Sequence, residues 1–301
     1  MKKIIVTQDL GLNKEERERL NKLGEVKYYN DLPETPEEWL VRCETADIIC
    51  SGKFGLKQKY QELSNVYFSL PFVAISFLDI EKLKEKNIKV SNCPGCNKEA
   101  VSEWIVAMVL NFFRDLPSCI NKFGEESRIP KETKGLIGKN ITILGKGNIG
   151  SRVGKICEAL GMNILYFKKG DNLISSVESA DVIVDTLRLD ENTRGLLDKN
   201  FFSSLKKDSY FITVTSKEIC DTDAMFNALD QGILAGVAND CGSIQVGDVN
   251  DDFYIKLAQH PKILATPHIS YNTDVTDRNA NKLMIDNIDA YIKGKPINLI
   301  Y

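Results

Sequence analysis

The run Ile141-Thr142-Ile143-Leu144-Gly145-Lys146-Gly147-Asn148-Ile149-Gly150 is a short apolar strand leading into G-x-G-x-x-G. Its context predicts a helix after the turn and a further strand at Asn163 to Phe167, the setting in which this motif carries weight. Gly145 allows the tight turn, Gly147 lets a pyrophosphate approach the backbone, and Gly150 lets helix and strand pack closely. The helix that opens with Asn148 and Ile149 then offers free N–H groups and a partial positive charge to the phosphates. Eighteen residues beyond the last glycine stands the pair Lys168-Lys169. A carboxylate at the end of the second strand accepts from the ribose hydroxyls of NAD, whereas a cation suits the 2′-phosphate of NADP. No carboxylate precedes Asp171 here, so charge predicts NADP(H), with NAD as the alternative. A tenfold preference takes only about 1.4 kcal/mol.

These residues need strands and helices to hold them, and the chain alternates the two. Short apolar strands are expected at Lys3 to Thr7, Glu25 to Tyr29, Asp47 to Cys50, Val66 to Leu70 and Lys89 to Val90. Amphipathic helices are expected at Asn13 to Leu23 and Thr35 to Cys43, and the charged run Glu81 to Lys89 reads as the solvated face of another. After an apolar helix at Ala100 to Arg114 and a polar stretch to Lys134, the alternation restarts. Strands then follow at Asn163 to Phe167, Val182 to Asp185, Tyr210 to Val214, Gly236 to Asn239 and Ile263 to Ala265. Such alternation predicts an α/β fold with parallel sheets covered by helices on both faces. Thr45-Ala46-Asp47-Ile48-Ile49-Cys50 and Ser179-Ala180-Asp181-Val182-Ile183-Val184 repeat one pattern, which predicts two doubly wound parallel-sheet domains. The length of 301 residues agrees with about two domains.

Composition narrows the partners. A net charge of -3 gives no electrostatic reason to expect nucleic acid. The opening Met1 to Asp9 is too short in apolar residues for a signal peptide, and the apolar window Trp104 to Phe113 is half of a membrane span. No membrane partner is expected. Eight scattered cysteines read as reduced thiols of a cytoplasmic protein. Cys93-Pro94-Gly95-Cys96 is the one close pair; a redox site would need a helix directly after Cys93 and zinc a second pair, so no metal is expected.

Over nearly its whole length the sequence resembles the D-isomer-specific 2-hydroxyacid dehydrogenases. The matching stretches are Asn92 to Asn97 with Ala100 to Glu103, the Gly145 to Gly150 turn with Gly161-Met162, Asn192 to Leu196, and Thr266-Pro267-His268-Ile269. The resemblance implies a flavodoxin-like substrate domain from residues 1–97 and 271–301, a Rossmann nucleotide-binding domain from 98–270, a small-molecule substrate, and a homodimer. It implies that His268 is the acid/base, since hydride addition to a ketone leaves an alkoxide that an imidazole can protonate. The competing reading of His268 is a structural histidine at a strand end. Asp240 matches the aspartate of the cofactor side.

Three departures bear on the substrate. The family arginine that forks a substrate carboxylate is replaced: Ser216 takes its position and Lys217 that of the following glycine. Lys217 is either a point-charge substrate contact or a solvated lysine. The glutamate that tunes the histidine falls near Gln245, or at Asp248 if the longer segment shifts it. The family's glycine loop in the first domain is here Ser69 to Ser76, apolar and interrupted by Pro71, and Lys53 reads first as a surface lysine and second as an alternative anion contact. The leading expectation is an NADP(H)-dependent oxidoreductase acting on a 2-oxo/2-hydroxy acid or related carbonyl. The rival is a catalytically weak or inactive dinucleotide-binding sensor or partner-binding dimer. Reduction of an imine is a third reading.

Overall fold

The computed structural model describes residues 1–119, 132–240 and 252–301. It divides into two compact units, Met1–Asn97 with Asn272–Tyr301, and Lys98–Tyr271. In the first, β1 (Lys3–Val6), β2 (Glu25–Tyr28), β3 (Ile48–Cys50), β4 (Tyr67–Ser69) and β5 (Lys89–Ser91) form a parallel sheet in the order β2-β1-β3-β4-β5. That is the flavodoxin order, with its switch point between β1 and β3. The central strands β3 and β4 are buried at every position, as a sheet covered on both faces requires, while the edge strand β2 alternates.

Local chemistry sets where the helices begin. Asn13 caps Lys14–Asn21 by accepting from the Glu16 N–H at 2.9 Å, and Glu16 returns the bond to the Asn13 N–H. Thr35 caps Pro36–Cys43, with Pro36 in the first turn where its missing N–H costs nothing. The first helix ends at Asn21, two residues before the predicted Leu23, and beyond it Gly24 passes close to the Lys2 carbonyl, where a side chain would collide. Of the run Glu81 to Lys89, Ile80–Glu85 is helical and buries only Leu83. Residues 94–97 are turns and the next helix starts at Lys98, so no helix follows Cys93 directly.

The helix Asp274–Ile292 packs back on this first sheet. Ala280, Met284, Ile285 and Ile288 share a core with Ile4, Val6, Ile48 and Tyr67. The Ser69 hydroxyl donates to the Met284 carbonyl at 2.8 Å, and the Tyr67 and Tyr291 rings stack at 3.9 Å.

The second unit holds β6 (Asn140–Leu144), β7 (Asn163–Phe167), β8 (Val182–Asp185), β9 (Ser209–Thr213), β10 (Leu234–Asn239) and β11 (Ile263–Ala265). All pairs are parallel, in the order β11-β10-β9-β8-β6-β7. The chain reverses direction of travel between β6 and β8, so the crevice beyond their carboxyl ends is where such a sheet takes ligands. Among the described residues no helix is long and apolar enough to cross a membrane.

The repeated Ala-Asp pattern has a physical cause. Asp47 accepts the Lys3 N–H at 2.8 Å and pairs with the Lys2 ammonium at 2.9 Å. Asp181 does the same in the second sheet, accepting the Asn140 N–H at 2.8 Å and pairing with the Lys206 ammonium at 2.7 Å. Each aspartate ties the start of its own strand to the start of the neighbouring central strand. Burial raises the Asp181 pKa, but the Lys206 and Asn140 hydrogen bonds outweigh it and leave the carboxyl below its ordinary value. A carboxylate with a depressed folded pKa stabilises above the ordinary pKa and loses that contribution as pH falls through the folded value. Asp181→Asn is therefore expected to cost about 1–2 kcal/mol at neutral pH. Urea denaturation of both proteins should show the difference closing under acid conditions and persisting at neutral pH.

Candidate functional site

The carboxyl edge of the second sheet collects most of the residues that sequence reasoning singled out. Gly145 follows β6 with φ of +95°, a conformation that favours glycine. Its N–H donates to the Phe167 carbonyl at 3.0 Å, tying the turn to the end of β7. Gly147 precedes the helix Asn148–Ala159, and no side chain caps the helix N-terminus. A Cβ at Gly147 would meet nothing within 4 Å, so the backbone there faces open space. A Cβ at Gly150 would collide with the Gly145 carbonyl oxygen, which explains why strand and helix can cross so closely. Beside the turn lies an open cavity of about 560 Å³, with Lys98, Lys146, Arg152 and Lys155 on its wall against the single acid Glu99. A dinucleotide pyrophosphate fits this turn on two grounds: the bare backbone at Gly147 and the surplus of cations.

Lys168 and Lys169 follow β7 and are exposed. The Lys168 N–H donates to the Asp171 carboxylate at 2.8 Å, and the Asp171 N–H donates back to the Lys168 carbonyl at 3.0 Å. That pair of bonds closes the turn. Among the described residues neither ammonium pairs with a carboxylate.

At the end of β10, Asp240 is 1 % exposed and its carboxylate gathers the segment after β11. Oδ1 accepts from the Thr266 hydroxyl at 2.6 Å and the Ile269 N–H at 2.9 Å, and Oδ2 accepts from the Ser270 N–H at 2.9 Å. His268 lies inside this loop with φ of +55°, and its N–H donates to the Thr266 carbonyl at 2.9 Å across Pro267. A non-glycine residue in the left-handed region costs of order 1–3 kcal/mol and persists only where its surroundings fix it. Asp240 supplies that constraint. The His268 ring is half-buried and meets the Tyr271 ring edge-on at 5.0 Å.

Ser216 and Lys217 follow β9, the strand next to β10. The Ser216 hydroxyl donates to the Glu218 carboxylate. That bond, with the Glu218 backbone N–H, holds the Glu218 carboxyl below the usual range. A carboxylate thus stands two residues from Ser216. The Lys217 ammonium sits 5.7 Å from the centroid of the Phe253 ring on the helix Asp252–Gln259. Gln245 and Asp248 lie outside the described residues.

Sequence reasoning missed Asp185. It ends β8 fully buried, where burial pushes its carboxyl above the ordinary pKa. Opposing that, Oδ2 accepts from the hydroxyls of Thr213 (3.1 Å) and Thr215, and Oδ1 from the Leu187 N–H at 3.0 Å. The signal was available: a run of three buried apolar residues ends in Asp, and the two threonines sit two apart at the end of the next strand. Among the described residues no group of three His, Cys, Asp or Glu side chains suits a metal ion.

Two parallel α/β units, one with a glycine turn of the dinucleotide type, define a dinucleotide-binding α/β protein of two domains. Residues 106–270, more than half the chain, match the D-isomer specific 2-hydroxyacid dehydrogenase, NAD binding domain. The chain belongs to that family. It is 29% identical over 240 residues to D-3-phosphoglycerate dehydrogenase of Bacillus subtilis (strain 168), covering 75% of this chain and 45% of that protein, so it spans under half the length of that relative. It is 24% identical over 311 residues to hydroxypyruvate reductase of Blautia hydrogenotrophica, covering 93% of each. An acyclic imino acid reductase solved with NADPH and D-Arg shares the fold with a TM-score of 0.82 and 22% identity, covering 99% of this chain and 100% of that one.

The geometry predicts that Asp240→Ala leaves the Ile269 and Ser270 N–H groups without their acceptor and destabilises the chain by about 2–4 kcal/mol. Asp240→Asn, which keeps one acceptor oxygen, should recover part of that loss. Paired urea melts at neutral pH measure both.

Proposed function

We propose that the chain is an NADP(H)-dependent oxidoreductase that interconverts a 2-oxo and a 2-hydroxy acid, or a related carbonyl and alcohol, with His268 as acid/base. The observation that carries this reading is the Asp240 clamp, which fixes His268 at the carboxyl edge of the sheet that bears the glycine turn. When bound, the nicotinamide supplies or takes the hydride. The turn Gly145–Gly150, with Asn148 and Ile149 at the helix start, would hold the pyrophosphate, and Lys168 and Lys169 would hold the 2′-phosphate, with Asp240 a further cofactor-side residue. In reduction the His268 imidazolium gives its proton to the forming alkoxide oxygen; in oxidation the neutral ring takes it from the hydroxyl. Gln245, or Asp248 in its place, orients the ring. Lys98–Tyr271 serves as the nucleotide domain and the other unit as the substrate domain of a cytoplasmic homodimer.

The substrate is held without the family's carboxylate fork. Ser216 cannot make two charged hydrogen bonds, and Glu218 beside it repels an acid group. This favours a substrate whose carboxylate is bound elsewhere, with Lys217 as one point charge, or a substrate that has none. The same observation supports the second reading, a dinucleotide-binding sensor or partner-binding dimer with little turnover.

The purified chain separates the two. NADPH fluorescence reports binding, and absorbance follows turnover over a panel of 2-oxo acids, aldehydes, ketones and imines. We expect NADPH to bind about tenfold more tightly than NADH. We expect His268→Ala to lower kcat by about two to four orders of magnitude while cofactor affinity stays. Reduction needs protonated imidazole and oxidation the neutral ring, so kcat/KM for reduction should fall with rising pH and that for oxidation should rise. Cofactor binding without turnover on any substrate would establish the sensor reading, and absence of binding by either dinucleotide would sink both.

A further inference from the structure

We propose that Lys146, inside the glycine turn, is a specificity-determining cation for the adenosine 2′-phosphate and acts together with Lys168. The inference rests on the reading of this turn as an NADP(H) site. It starts from one backbone hydrogen bond. The Gly145 N–H donates to the Phe167 carbonyl at 3.0 Å. Lys146 and Lys168 are the next residues after that donor and that acceptor, so their side chains leave the main chain from neighbouring points.

The Lys146 side chain is also aimed. Its ammonium lies 4.7 Å from the centroid of the Tyr166 ring, on β7 one residue before Phe167. Tyr166 itself is seated, because its hydroxyl lies over Gly154, where any Cβ would collide with it. Lys146 therefore leans toward the end of β7, where the ribose of a dinucleotide bound on such a turn comes to lie. An aromatic face holds an ammonium without neutralising it. Among the described residues Lys146 has no carboxylate partner, so its charge is available to a ligand.

Electrostatics give the preference its sign. A phosphate monoester carries close to two negative charges at neutral pH, which two ammonium groups match. Of the acids near this corner, Asp171 is held in the turn by the Lys168 N–H and Glu158 acts on Tyr166 from the helix Asn148–Ala159. A ribose with a free 2′-hydroxyl gains little from either lysine, so removing Lys146, which also adds to the cation surplus beside the turn, should weaken NADPH more than NADH.

The test uses the full chain and fluorescence titration with NADPH and NADH. The proteins are wild type, Lys146→Met, which keeps the stem against Tyr166, and Lys146→Arg, which keeps the charge. We expect Lys146→Met to weaken NADPH by about fivefold and NADH by less than about twofold, with Lys146→Arg close to wild type. The NADPH effect should shrink with added salt. If wild type prefers NADPH and Lys146→Met keeps that preference, or weakens both dinucleotides alike, this inference fails and the NADP(H) reading stands. If wild type prefers NADH or binds neither dinucleotide, the cofactor reading fails and takes this inference with it.

Discussion

The Asp240 carboxylate is the interaction on which the site depends. Three donors from one five-residue segment converge on its two oxygens: the Thr266 hydroxyl and the N–H groups of Ile269 and Ser270. Hydrogen bonds to an ionised acceptor inside a protein are stronger than neutral ones, and the penalty for leaving any of these donors unpaired is large. The segment therefore has one conformation, and that conformation holds His268 in the left-handed region. The carboxylate thereby restrains the His268 backbone, which the left-handed region would otherwise disfavour.

The aspartates of the two sheets divide by edge. Asp47 and Asp181, at the amino edge, are partly exposed, pair with lysines and tie strand starts together. Asp185 and Asp240, at the carboxyl edge, are buried and, among the described residues, have no cationic partner. They accept instead from hydroxyls and backbone N–H groups. A buried carboxylate without a counter-ion is costly, and the cost is met only by a full set of donors. Both sit where a parallel sheet takes its ligands, which is where such cost is tolerated.

Ser216 changes the electrostatics of its neighbourhood as well as removing a fork. Its hydroxyl is committed to Glu218, and Lys217 leans on Phe253. A guanidinium at this position would present two parallel donors and a positive charge. The segment in this chain presents a carboxylate two residues on, at the end of the strand that neighbours β10. Along this segment the Glu218 carboxylate follows directly on the Lys217 ammonium.

The strands were legible in the sequence as short apolar runs: Val182–Asp185, buried throughout, and the edge strands Asn163–Phe167 and Ile263–Ala265 have the predicted bounds. The glycine turn was legible because its neighbours in space are its neighbours in sequence. Helix ends were less so: the first helix stops at Asn21, two residues short of Leu23. Asp240 was visible as a motif residue, yet its partners lie 26 to 30 residues away in sequence. Asp185 stands out in the sequence only as the end of a strand, since its partners Thr213 and Thr215 lie 28 and 30 residues on, at the end of the neighbouring strand β9. Local spacing determined the elements, the cofactor turn and the family; tertiary structure alone decided which polar groups meet at the strand ends. The reason is that a hydrogen bond between strand ends depends on sheet order, and sheet order is a property of the packed chain.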